Sequence, residues 1–202
     1  MKPRQKRILL NLIAIFLGFT FFGAGMSKLF ADHQFIGWIG PTWLVERLEE
    51  YGLGFYGKFI AYSQVLIGYM LITTRYKLIG AVMLVPMLLN ILMITISLEW
   101  RGTPYVLGFI LFLNGLILWH YRDFWNVLLH EGNGDKRLRF NRNKTLFGDA
   151  VWFLGLVLQF LAISVSFHQI WIGLALSLIG LVISLLSFRL DQIYSVRKAE
   201  IT

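Results

Sequence analysis

The chain has 202 residues, 57% of them hydrophobic, with a formal net charge of +8 and no cysteine. One membrane domain uses up that length, and no segment is long and polar enough to fold as a separate soluble domain. The missing cysteines exclude disulfides, thiolate nucleophiles, cysteine-ligated iron–sulfur clusters and thiol–disulfide relays. The positive excess lies beside apolar runs, where it reads as an orientation signal and a contact for anionic headgroups rather than as a nucleic-acid footprint.

Six apolar runs follow one another, at roughly 8–30, 57–75, 77–98, 104–121, 147–167 and 169–189. A helix rises ~1.5 Å per residue and the hydrocarbon layer is ~30 Å thick, so about 20 apolar residues span it. Hydrocarbon offers the backbone no partners, so each run must satisfy its own donors and acceptors as a helix. The expected class is therefore all-α, a polytopic transmembrane helical bundle of six spans. The first run has a basic front and small residues at Gly23, Ala24 and Gly25, like a signal peptide. It continues past them, and its removal would leave five spans and a broken charge pattern, so it reads as a retained helix.

Between the runs, the cations alternate. Lys2, Arg4, Lys6 and Arg7 precede the first; Arg75 and Lys77 stand in the short turn after the second. Arg122, Lys136, Arg137, Arg139, Arg142 and Lys144 follow the fourth, and Arg189, Arg197 and Lys198 follow the sixth. The 31–56 loop carries Arg47 against Asp32, Glu46, Glu49 and Glu50, with Lys28 and Lys58 flanking it. The positive-inside rule then puts both ends in the cytoplasm and the 31–56 loop outside.

That outer loop holds a short helix near 41–51, with Pro41 suited to its start and Gly52 to its stop. Trp43, Leu44, Leu48 and Tyr51 fall on one side and the three glutamates on the other, as an interfacial helix requires. On the inner side, 123–130 reads as a second short helix, and 126–145 as a basic loop against lipid or a soluble partner. The long fourth loop divides the chain into a four-helix unit, 1–125, and a helical pair with a tail, 146–202.

Counting inward from each outer boundary places Thr20, Gln64, Asn90, Asn114 and Gln159 at similar depth, on the order of 10–15 Å. Lys28, Lys58, Glu99 and Arg101 lie above them. Polar groups in hydrocarbon turn toward the bundle interior. The layer reads either as an outward pocket, with Lys28, Gln64, Asn90, Glu99 and Asn114 as its ligand-binding candidates, or as interhelical hydrogen bonds of ~0.6–2 kcal/mol each. Lys28 either snorkels to the headgroups or pairs with Glu99. The four histidines, His33, His120, His130 and His168, are scattered. No pair clamps a haem and no cluster has metal-ligand spacing; no nucleophile–base–orienter set, phosphate loop or dinucleotide fingerprint stands in the chain. No catalytic residue and no intrinsic cofactor is expected.

The stretch Ala24-Gly25-Met26-Ser27-Lys28-Leu29 resembles the first-helix ending of DoxX-like membrane proteins. Gln64 to Arg75, with Gly68 and the terminal Arg75, is similar to that family's second helix, where an acid is commoner than Gln64. The resemblance covers roughly residues 8–125. It implies a four-helix transmembrane unit, and for some relatives a place beside a separate redox subunit in quinone-linked oxidation of sulfur compounds or in oxidative-stress complexes. Quinone, a membrane-complex partner and membrane lipids enter only as what the resemblance and the composition imply. The expected function is a scaffold or small-hydrophobic-molecule subunit of such a complex; a small-solute permease is the alternative, although pseudo-symmetric halves are not visible.

Overall fold

The computed structural model describes residues 2–36, 42–122 and 144–199. Among them there is no strand. The chain folds as α1 (Pro3–Leu29), a 3-10 turn (Ala31–His33), α2 (Leu44–Glu49), α3 (Gly54–Ile72), α4 (Lys77–Ser97), α5 (Thr103–His120), α6 (Leu146–Ser166) and α7 (Ile170–Ala199). Among the described residues every α-helix but α2 is long and apolar enough to cross a membrane, six in all. The chain is a multi-pass membrane protein of helical-bundle architecture. The expected second inner helix at 123–130 and most of the basic loop lie outside the described residues.

The helices depart from their apolar runs at the ends. Helix α1 starts at Pro3 rather than near residue 8, because lysine and arginine extend a helix well and its first turns need not lie in hydrocarbon. Helix α3 both starts and stops about three residues earlier than its run. Thr73 closes α3 by donating its Oγ1 to the Tyr69 carbonyl at 2.8 Å, and Thr74 turns the chain at a φ of 52°. The chain leaves α4 at Glu99, φ 53°, and enters α5 from Gly102, φ 91°.

The chain forms two compact units. The first takes the described residues through Lys28 and from Ile36 to Arg122, so it contains α1 almost whole with α2 to α5. One apolar core runs through it: Ala14, Leu17 and Phe21 from α1, Ile67 and Leu71 from α3, Leu84 and Leu88 from α4, Ile110 and Ile117 from α5. Helices α1 and α3 approach until their backbones nearly touch. A Cβ on Gly68 would lie 2.3 Å from the Phe22 nitrogen, and one on Gly25 would lie 2.6 Å from the Ala61 carbonyl oxygen. Without a hydrophobic drive between helices in lipid, such close packing is a principal source of association. Helix α2 lies over the start of α3, with Val45 and Leu48 against Gly57.

The second unit is the α6–α7 pair together with Leu29–Phe35. Sequence alone assigns that segment to the four-helix unit. The structure joins it to the pair because the Ala31 amide donates to Ser166 Oγ at 3.2 Å and Phe30 packs against Gly173. Inside the pair, Gln159 Nε2 donates to the Ser177 carbonyl at 3.0 Å and Ser177 Oγ donates to Gln159 Oε1 at 2.7 Å. Thr145 caps α6 by accepting from the Gly148 amide, and Asp191 of α7 accepts from both the amide and the hydroxyl of Thr145 at 2.8 Å.

Gly68→Val should destabilise the protein by more than ~3 kcal/mol, above the usual overpacking range, because the clash is with backbone that cannot move aside. Gly108→Ala, with open space around it, should stay within about 0.5 kcal/mol of wild type. Thermal unfolding of the two variants in one detergent checks the contrast.

Candidate functional site

Unit 1 encloses a partly open cavity of about 180 Å³ at the end where α2 lies. Four helices wall it. Thr20, Phe21, Ala24 and Lys28 come from α1 and Gln64 from α3; Ile91 and Thr95 from α4 and Val106, Leu107 and Ile110 from α5 complete the wall. Leu44 of α2, Trp100 and Thr103 line it as well. Trp43 and Trp100 pack at 4.9 Å between ring centroids, which ties the start of α2 to the α4–α5 turn.

The polar side chains differ in what satisfies them. Thr20 Oγ1 donates to the Phe16 carbonyl at 3.0 Å and Thr95 Oγ1 to the Leu92 carbonyl at 2.9 Å. Both are spent on their own helices, as hydroxyls in helices commonly are. Gln64 is 4% exposed, and its Oε1 is buried with no hydrogen-bond partner. Lys28 is 7% exposed. Its ammonium folds back along α1 and donates to the Ala24 carbonyl at 2.7 Å. It therefore does not snorkel.

Of the five residues expected to form a pocket, Lys28 and Gln64 line this cavity together. Asn90 does not: it is exposed on α4, where its Nδ2 donates to the Pro86 carbonyl at 3.0 Å. Glu99 does not: it is exposed on the α4–α5 turn and forms no ion pair with Lys28, because that lysine points down its own helix and not up toward the turn. Asn114 is fully buried but faces α4, donating to the Ala81 carbonyl at 2.8 Å, with its Oδ1 left unpaired. Gln159 belongs to the other unit and bridges α6 to α7. The expected polar layer thus separates into a cavity lining, an outward amide and two interhelical clamps.

Sequence reasoning missed Thr95, Trp100 and Thr103. It also took Arg75 for a loop cation, although Arg75 is 2% exposed and among the largest buried side chains. At that opposite end, Lys77 Nζ donates to Asn11 Oδ1 at 2.8 Å and stands 5.6 Å from the centre of the Tyr121 ring. Burial pushes the Tyr121 phenol above its ordinary range, opposed by the charge of Arg7 nearby. Among the described residues no three His, Asp or Glu side chains come together as metal ligands do.

No protein-family model, curated protein or solved structure matches the chain.

Asn114→Leu should change stability by less than ~1 kcal/mol, since it removes one interhelical bond and one orphaned oxygen together. Gln159→Leu should cost about 1–2 kcal/mol, because it strands the Ser177 hydroxyl. Denaturation of both variants in a common detergent measures the difference.

Proposed function

We propose that the protein is a DoxX-like integral subunit of the bacterial inner membrane, with both ends cytoplasmic, and that unit 1 binds a small, mostly apolar molecule within a membrane complex. The observation that carries the binding reading is Gln64. A buried amide oxygen with no partner costs about 1–3 kcal/mol, and in a cavity wall that cost is recovered when a ligand meets it. The apolar walls and a few polar groups match the usual make-up of small-molecule sites. The size supports it as well: a cavity of about 150 Å³ in another protein takes up benzene, so 180 Å³ admits a single ring. A quinone head, which the family resemblance would favour, matches that size and offers carbonyls to Lys28. It has no donor for Gln64 Oε1.

The cation pattern supports the orientation. With the α2 end outside, the exposed amino-terminal cations Lys2, Arg4, Lys6 and Arg7 meet the cytoplasmic leaflet. The open side of the cavity then faces the outer leaflet.

Ala24→Phe should fill the cavity. The purified wild-type chain should gain several degrees in Tm from ring-sized apolar molecules, and the Ala24→Phe variant should gain none. Equal gains in both would remove the cavity as the binding site. A reporter fused after Thr202 should be active only in the cytoplasm; activity outside the cell would invert the topology.

A further inference from the structure

The cavity of unit 1 is lined by one cation and no acid, and that imbalance bears on its occupant, given that the cavity is a binding site. We propose that it selects a ring-sized hydroxy monocarboxylate, whose carboxylate meets Lys28 Nζ and whose hydroxyl meets the Gln64 amide.

The charge comes first. Lys28 is almost wholly buried, and its ammonium has three donors but one partner, a neutral carbonyl. Glu99 is exposed on the neighbouring turn, and Glu49 stands 3.8 Å from Lys58, so neither carboxylate serves Lys28. A buried charge without a counter-charge is costly, and an anionic group delivered by the ligand offsets it with a charge-assisted hydrogen bond. A neutral ring leaves the imbalance in place.

The amide sets the second group. The Gln64 Oε1 is buried and has no hydrogen-bond partner. A hydroxyl suits either amide orientation, because it can donate to the oxygen or accept from the nitrogen. Thr20 and Thr95 do not compete, since both of their hydroxyl protons are already given to helix carbonyls.

The size is that of one ring. The contact of Gly25 with Ala61 and Val65 sets Gln64 level with Gly25 along α1. The Lys28 ammonium reaches back to Ala24, so both side chains reach the same cavity. One ring carrying both groups is what the volume admits.

The test uses the full chain in lipid nanodiscs, with 4-hydroxybenzoate, benzoate, phenol and a short-chain quinone as probes, read by equilibrium binding against empty nanodiscs. In wild type, 4-hydroxybenzoate should bind at least tenfold tighter than phenol and severalfold tighter than benzoate. Lys28→Met should erase the preference for the carboxylate and leave phenol unchanged. Gln64→Leu should erase the advantage of 4-hydroxybenzoate over benzoate. Lys28→Arg, which keeps the charge, should retain the carboxylate preference. Phenol or the quinone binding as tightly as the carboxylates would overturn the ligand class while leaving the cavity as a small-molecule site. If no probe binds, the site reading itself fails, and this inference with it. Where a variant does not fold, the ratios in wild type decide.

Discussion

Hydrocarbon supplies no hydrogen bonds, and the internal economy of this protein follows from that constraint. The backbone meets it by forming helices. Each polar side chain must then meet it separately, and two solutions are visible. Thr20, Thr73, Asn90, Thr95 and Ser184 each give a proton to a carbonyl of their own helix. Asn114, Lys77, Gln159 and Asp191 reach a neighbouring segment. The first group costs little and specifies little. The second fixes which faces meet, which apolar packing alone leaves degenerate in lipid. Gln64 follows neither course, and Lys28 follows the first with only one of its three donors.

Those two residues are brought together by the crossing of α1 and α3. Gly25 and Gly68 let the two backbones approach more closely than side chains would allow. With that crossing closed, the adjoining faces of α1 and α3 present Thr20, Ala24, Lys28 and Gln64 toward α4 and α5. The gap that remains there is the cavity. A different contact, the Trp43–Trp100 pair, holds the start of α2 against the α4–α5 turn. The site is therefore a by-product of where glycine permits contact and where larger residues prevent it.

The spans were legible in the sequence, whereas direction around each helix was not. Hydropathy located six spans to within a few residues, and Gly52 does turn the chain beyond α2, at a φ of 72°. The same arithmetic put Gln64, Asn90, Asn114 and Gln159 at one level, but level says nothing about azimuth. A membrane helix is apolar on both its lipid face and its packed face, so periodicity does not separate the two as it does in water. Asn90 and Asn114 show the consequence. One faces out and the other faces in, and nothing local to either residue distinguishes them. Arg75 failed for a related reason: a cation in a four-residue turn reads as solvated, and its burial depends on how the α3–α4 turn packs.

Lys28 is the residue at which these lines meet. A lysine one position from the end of its helix has a low-cost escape, since its stem can run along apolar surface to the headgroups. Here the stem runs the other way, back to Ala24 and into the cavity wall. That conformation surrenders hydration for a single carbonyl, a poor exchange if the protein's own groups were the whole account. The small side chain of Ala24 in the cavity wall makes the conformation possible by leaving room beside the helix. A bulkier residue at position 24 would close that space and turn the ammonium outward, so the cavity and the buried charge should be lost together and not one at a time.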